Sequence, residues 1–171
     1  HGMTRDEVTC ARCDAHLGAD NRIRRMIVAL AEAGGTTNEI PQVTPADIRR
    51  GNATVTFTGT RDTARRNVAL TTWGRHQVLD VLDDHDPARP PAHQHGPGGA
   101  PAASVSGIGR RLLNEAGLVD GDVTLESLRN TGALLAWNGR DIQPVLTVLG
   151  STTKHAVQNA WNLVHLLAPG A

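Results

Sequence analysis

The sequence predicts an α+β domain that is mostly helical and carries one small antiparallel β-sheet near its N-terminal side. Apolar residues recur at helical spacing through most of the chain, whereas only residues 53–72 alternate apolar and polar side chains as a half-buried hairpin does. The chain has 171 residues, 39% of them hydrophobic, which is enough to bury one sizeable core. No apolar run is long enough to cross a bilayer, so we expect no membrane span.

The N-terminal half supplies the predicted sheet. Residues 21–33 are predicted to form an amphipathic helix, because apolar side chains recur there every three or four positions. Residues 44–48 have the signature of a helix start or a turn. Residues 53–58 and 67–72 are predicted to be the two strands of a hairpin with a loop longer than two residues. Helical spacing returns over 73–82.

The C-terminal half is predicted to be helical after a loop. Residues 83–103 are rich in proline, glycine and histidine, and we expect a flexible loop there. Four helices are then predicted, over 104–115, 124–138, 141–149 and from Thr152 or Thr153 to the end of the chain. Residues 20–171 are therefore expected to form one domain.

Residues 1–19 are expected to be a tag remnant and a polar linker that carries a candidate metal site. The run Cys10-x-x-Cys13-x-x-His16 has the spacing of a zinc knuckle, and zinc prefers thiolate and imidazole ligands in a tetrahedral set. A fourth ligand is not evident nearby. Two reduced thiols in a linker are the alternative.

The composition limits the chemistry and the compartment. The chain contains no tyrosine, so a mechanism that needs a tyrosine side chain from this chain is excluded. Its formal net charge is zero, and Lys154 is the only lysine beside sixteen arginines. This bias is typical of a GC-rich, actinobacterial-like genome, which weakens the arginine excess as a sign of nucleic-acid binding. With only two cysteines and no leader-like segment, we expect a cytoplasmic protein.

Ordered motifs over about residues 20–167 resemble the catalytic domain of tyrosine recombinases (phage integrases). The segment Thr124-Leu-Glu-Ser-Leu-Arg-Asn-Thr-Gly-Ala-Leu-Leu135 resembles the His-x-x-Arg-His helix of that family, and the segment that ends at Leu149-Gly150 resembles its Leu-Gly-His helix. Residues 33–40 stand where the family has Thr-Gly-Leu-Arg-x-x-Glu-Leu, and 58–70 resemble its hairpin. The resemblance implies the recombinase fold and a surface that faces DNA.

The same resemblance implies that the activity is lost. The catalytic positions carry Thr36 for arginine, Thr60 for lysine, Glu126 and Ser151 for two histidines, and Ala160 or Trp161 for the tyrosine nucleophile, whereas Arg129 is retained. Phosphoryl transfer needs preorganised cations around the phosphate. We therefore expect a pseudoenzyme.

The candidate DNA contacts are arginines of the hairpin and the start of the last helix. Arg61, Arg65 and Arg66 lie on the hairpin that approaches DNA in the family, and guanidinium groups suit phosphates. Arg129 is a further candidate; alternatively it pairs with Glu126 one helical turn away. Lys154 and His155 begin the last helix, where backbone N–H groups favour anions; an ordinary surface helix start is the alternative.

The sequence thus predicts a non-catalytic DNA-binding domain, acting as a transcriptional or replication regulator or as an accessory to recombinases. A protein-interaction module is the alternative, in which the apolar stripe of the last helix mediates self-association; its members are Val157, Trp161, Val164 and Leu167. Zero net charge and the acidic run Asp80, Asp83, Asp84 and Asp86 favour that alternative. An active strand-transfer enzyme is the third and least favoured reading. Arg110 and Arg111 have no expected role at DNA.

Overall fold

The computed structural model describes residues 2–83, 91–92, 101–118, 123–151 and 154–167, without the side chains of 101–103, 154–156 and 166–167. In these ranges the helices are α1 (Arg5–Asp14), α2 (Asn21–Glu32), α3 (Thr72–Asp83), α4 (Pro101–Glu115), α5 (Leu125–Leu135), α6 (Gln143–Leu149) and α7 (Lys154–Leu167). The strands are β1 (Ile48–Arg49), β2 (Thr54–Phe57) and β3 (Arg66–Ala69). The predicted fold class, mostly helical with a small antiparallel sheet, is confirmed.

The sheet has the order β1-β2-β3, and both pairings are antiparallel. Val55 pairs with Val68 across the predicted hairpin, and both side chains are buried, as the alternation of apolar residues requires. Strand β1 was not predicted. Its two residues are too few to show a period-two pattern, and residues 49–52 resemble a turn in sequence.

Helix α2 lies at the centre of the core. Its residues from Met26 to Ala31 are all buried, and it packs against both α3 and α5. Gly132 of α5 permits the close approach, since a Cβ at that position would lie 1.7 Å from the carbonyl oxygen of Glu32. A side chain at this crossing would therefore force the two helices apart.

The expectation of a linker over residues 1–19 is wrong for its middle part. Residues Arg5–Asp14 form helix α1, which begins with a capping box between Thr4 and Glu7. Val8 and Ala11 are buried on one side of this helix, and the backbone N–H of Met3 donates to the Thr131 hydroxyl at 2.7 Å. The N-terminal segment is thus packed onto the body of the domain.

Two helix boundaries in the C-terminal half differ from prediction by three residues, and the others up to the start of α7 differ by less. Helix α4 begins at Pro101, so the expected loop over 83–103 is too long at its C-terminal end; residues 84–90 and 93–100, with His93 and His95, lie outside the description. Helix α5 ends at Leu135 rather than 138. No helix within the described ranges combines the length and the hydropathy that crossing a membrane requires.

Candidate functional site

Two buried arginines, Arg66 of β3 and Arg129 of α5, form the polar centre of the molecule. They are 7% and 9% exposed, and both donate to the carbonyl oxygen of Gly34 just after α2. The two donor distances are 2.6 Å from Arg66 Nη2 and 3.0 Å from Arg129 Nε. This arginine cluster therefore connects the sheet, α2 and α5 at one point.

Arg66 forms a two-pronged ion pair with the buried carboxylate of Glu39. Its Nη1 and Nη2 donate to Glu39 Oε1 and Oε2 at 2.6 and 2.9 Å, and its Nε donates to the carbonyl of Val148 at 2.9 Å. The guanidinium carbon also lies 4.7 Å from the centre of the Phe57 ring. These contacts stabilise the positive charge of Arg66 in the protein interior, where solvent does not reach it.

Burial alone would raise the pKa of the Glu39 carboxyl. The hydrogen bonds from Arg66, Thr36 and Thr63, together with the positive charge of Arg66, outweigh burial and lower that pKa to about 2 from 4.5. Glu39 is therefore ionised at neutral pH and serves as the counter-ion of Arg66.

The guanidinium of Arg129 is likewise bound by oxygens of the protein. Its Nη2 donates to the carbonyl of Leu149 at 2.5 Å, and its Nη1 donates to the carboxylate of Glu126 on the same helix. The pairing with Glu126, one of the two alternatives from sequence, is thus observed. Because Arg66 and Arg129 hold the carbonyls of Val148 and Leu149, both cations lie at the negative end of the α6 dipole.

The expectation that Arg66 lies on an exposed DNA-facing loop is wrong. Arg66 pairs with Phe57 in the register of the hairpin, and its side chain points to the buried face of the sheet. Arg129 is likewise buried, with Nε and both terminal nitrogens engaged by protein oxygens. Neither guanidinium is available to a phosphate in this arrangement.

Four other positions of the family's catalytic set pack or bond within the protein. The hydroxyl and backbone N–H of Thr36 both donate to Glu39 Oε2 at 3.0 Å, and the Thr60 hydroxyl lies 3.0 Å from that of Thr63. Ala160 is buried, and the Trp161 ring packs edge-on against Trp137 at 5.9 Å. None of these four side chains supplies a cation or a phenol.

The hairpin loop, residues 58–65, is held to the body of the domain by hydrogen bonds. Thr63 donates to Glu39 Oε1 at 2.7 Å, and the backbone N–H of Ala64 donates to the carbonyl of Gly150 at 2.9 Å. Gly59 has a φ of 85°, and a Cβ there would lie 2.7 Å from the Thr63 carbonyl oxygen. The loop thus has a defined conformation set by buried groups.

Arg61 and Arg65 are exposed on this anchored loop. Neither has an ion pair or a side-chain hydrogen bond in the part of the chain that the structure describes. By contrast, Arg12, Arg24, Arg25 and Arg50 each have an acidic partner. The loop therefore presents two guanidinium groups that are free to bind an anion.

A cleft of about 480 Å³ lies beside the arginine cluster. It is lined by residues of the turn after α2, of α4 and of the start of α5, including Thr37, Ser106, Arg110, Leu113 and Glu126. Arg110, for which the sequence predicted no role at DNA, is exposed and lines this cleft.

The candidate zinc ligands are not brought together as a set of three. Cys10 and Cys13 are exposed on α1, and the His16 ring packs edge-on against Trp73 at a centroid distance of 6.2 Å. Among the residues with described placement, no group of three or more His, Cys, Asp or Glu side chains could hold a metal ion. Zinc binding by these cysteines stays a prediction.

The last helix packs within its own chain. Val164 is buried, and Val157 and Trp161 lie against the core cluster. Lys154 and His155 belong to the first turn of α7, but their side chains, like that of Leu167, lie outside the description. The same holds for Asp84 and Asp86 of the acidic run.

No family model and no curated protein sequence matches this chain. Solved structures match its fold. The XerA recombinase is 18% identical with a TM-score of 0.75, and the match covers 100% of this chain and 66% of that one. XerH site-specific recombinase bound to its palindromic difH substrate is 18% identical with a TM-score of 0.75, over 98% of this chain and 50% of that one.

An integrase from mycobacterium phage Brujita is also similar, at 20% identity and a TM-score of 0.65, over 100% of this chain and 59% of that one. The chain thus spans between half and two thirds of these proteins. At such low identity the likeness concerns the fold. The chain has the fold of tyrosine recombinase catalytic domains, as the motif order in the sequence predicted.

Proposed function

We propose that this domain binds DNA through phosphate contacts without cleaving it, and that it acts as a transcriptional or replication regulator or as an accessory to active recombinases. The observation that carries the proposal is the pair of unpaired, exposed guanidinium groups of Arg61 and Arg65 on an anchored loop. A guanidinium that has no partner within the protein keeps its N–H donors available for a phosphate, and no neighbouring carboxylate offsets its charge.

The fold supports the choice of DNA as the partner. The similar XerH recombinase was solved with its difH substrate, and the similar Tn1549 transposon integrase was solved with circular intermediate DNA. Lys154 and His155 at the start of α7 remain part of the proposed surface. The zero net charge of the chain is compatible with this proposal, because many of its acidic residues neutralise buried or partly buried arginines.

We expect no DNA cleavage, because the residues at the family's catalytic positions are engaged in contacts within the protein. A pentavalent phosphate requires free cations in a preorganised arrangement, and loss of a single donor costs on the order of 10²–10³ in rate. Here Thr36 binds Glu39, and the donors of Arg129 are engaged by two carbonyls and Glu126. The chain also has no tyrosine to attack phosphorus.

The DNA proposal is tested by the salt dependence of binding to a labelled duplex, followed by fluorescence anisotropy. The logarithm of the binding constant should fall linearly with that of salt concentration, at about −0.9 per phosphate neutralised. Replacing Arg61 and Arg65 together by alanine should flatten the slope by about two units and weaken binding to all sequences alike.

A matched control is the double alanine variant of Arg5 and Arg140. Both arginines are exposed and have no ion pair in the described ranges, so this variant removes the same charge from other surfaces. It should retain most of the slope. Equal slopes for the two double variants, or no binding above background at low salt, would contradict the proposal.

Cleavage is tested separately on supercoiled plasmid and on a nicked suicide duplex. We expect neither a relaxed product nor a covalent protein–DNA adduct, because the chain has no tyrosine and the donors of Arg129 are engaged within the protein. Detection of an adduct that survives denaturation would show that the domain is an active enzyme. The phosphate contacts of Arg61 and Arg65 would still be tested by the salt dependence of binding, which is independent of cleavage.

A further inference from the structure

The cleft beside the arginine cluster has the size of a small-molecule site. Its volume of about 480 Å³ lies within the roughly 300–1,000 Å³ that is usual for such sites. One wall is a single face of α4, since residues 106, 110, 113 and 114 all line the cleft and follow helical spacing. Arg111, the next residue after Arg110, is exposed but does not line the cleft.

Part of the cleft is apolar. Leu113 of α4 and Leu125 at the start of α5 both line it, and both side chains are buried in the core of the domain. They belong to packed helices, so this part of the cleft is formed before any ligand arrives. A ligand with an apolar body would bury that body against these leucines and gain free energy by leaving water.

Two charged side chains of the cleft differ in how they are paired. Arg110 is exposed and has no ion pair or side-chain hydrogen bond within the described ranges. Glu126 also lines the cleft, but its carboxylate already accepts from Arg129. A ligand with one negative charge would therefore gain the N–H donors of Arg110. A second negative charge on the ligand would be repelled by Glu126.

We propose that the cleft binds a small organic carboxylate, with its apolar body against Leu113 and Leu125 and its charge on the guanidinium of Arg110. Hydroxyl and amide groups fix the orientation of such a ligand by hydrogen bonds. The cleft offers them on Thr37, Ser106 and Asn114. Neither Arg61 nor Arg65 lines the cleft, so this site is separate from the proposed phosphate contacts.

The test is a titration of the full chain with hexanoate, followed by NMR in the absence of DNA. We expect the backbone amide signals of residues 106–114 and 123–126 to shift together as the cleft fills. Hexanol, which lacks the charge, should bind about tenfold more weakly, and hexylammonium more weakly still because it meets Arg110. Hexyl phosphate should bind no more tightly than hexanoate, because its second charge faces Glu126.

Two neighbouring arginines of α4 provide the variant and its matched control. Arg110→Gln should weaken hexanoate binding about tenfold and leave hexanol binding unchanged. Arg111→Gln removes the same charge outside the cleft and should change the affinity by less than about twofold. Both residues are exposed, so both variants should keep the circular dichroism of the wild type. Equal hexanoate affinities of the two variants, hexanol binding as tight as that of hexanoate, or no shift of these amide signals would overturn the proposal.

Discussion

Arg65 and Arg66 are neighbours in sequence with opposite environments. Arg65 is exposed at the end of the hairpin loop and has no partner in the described ranges, whereas Arg66 is buried in a bidentate pair with Glu39. Arg66 is the first residue of β3 and takes the face that the alternation of side chains along a strand makes buried, whereas Arg65 is the last residue of the loop. In β3 the face that holds Arg66 also holds the buried Val68.

The difference teaches that an arginine-rich hairpin is not a uniform basic surface. The guanidinium of Arg66 stabilises the folded domain from within, whereas those of Arg61 and Arg65 lie on the outer surface. Equal charge in the sequence therefore corresponds to unequal roles, and substitutions at the two neighbours should separate stability from binding.

The largest expected effect is on stability. Arg66→Ala leaves the Glu39 carboxylate buried without its counter-ion and leaves the carbonyl of Val148 without its side-chain donor, so it should reduce the free energy of unfolding by about 3–5 kcal/mol. Arg65→Ala should change it by less than about 0.5 kcal/mol, as an exposed substitution does. Urea denaturation followed by circular dichroism measures both.

Arg66→Lys sharpens the comparison, because it keeps the charge and loses the planar fork that matches the carboxylate. Its stability should lie between those of the wild type and Arg66→Ala. If Arg65→Ala and Arg66→Ala unfolded at the same urea concentration, the assignment of Arg66 to the core would fail.

A somewhat smaller effect is expected from acid. The pKa of Glu39 is about 2 in the folded state against 4.5 as its ordinary value, so the folded protein binds this proton less readily than the unfolded chain. The stabilisation is fully present above about pH 4.5 and is lost as the pH falls towards 2, for a total of about 3 kcal/mol. Denaturant midpoints at a series of pH values measure it.

Glu39→Gln isolates this contribution from the other carboxylates. The variant should be less stable than the wild type at neutral pH, and the gap should narrow as the pH falls through that window, because the wild-type carboxyl is then protonated too. A gap that stays constant with pH would show that Glu39 titrates normally and is not the counter-ion of Arg66.

The fold was largely predictable because helical periodicity and one alternating hairpin are local signals. Helix α1 was missed because its buried face consists only of Val8, Ala11 and Asp14, which is too few apolar residues to show a helical period. Strand β1 forms only because β2 lies beside it, and a two-residue strand has no period to detect.

The site was predictable only in part. The Arg129–Glu126 pair is local and was anticipated as an alternative, whereas the Arg66–Glu39 pair joins positions 27 apart and depends on the tertiary fold. A signal did exist: Arg66 is in phase with Val68 on the buried face of its strand. Its partner could not be chosen from sequence, because Asp47, Asp62 and Asp80 are all nearer to Arg66 along the chain than Glu39 is.

Glu39 imposes a constraint on how this sequence can evolve. One of its oxygens accepts from both Arg66 in the core and Thr63 in the hairpin loop. A substitution at position 39 would therefore alter both the packing of the sheet and the conformation of the loop that presents Arg61 and Arg65. A substitution at Glu39 would need compensating changes both in the core and in the hairpin loop. The stability of the domain and the conformation of its loop are therefore expected to evolve together at this position.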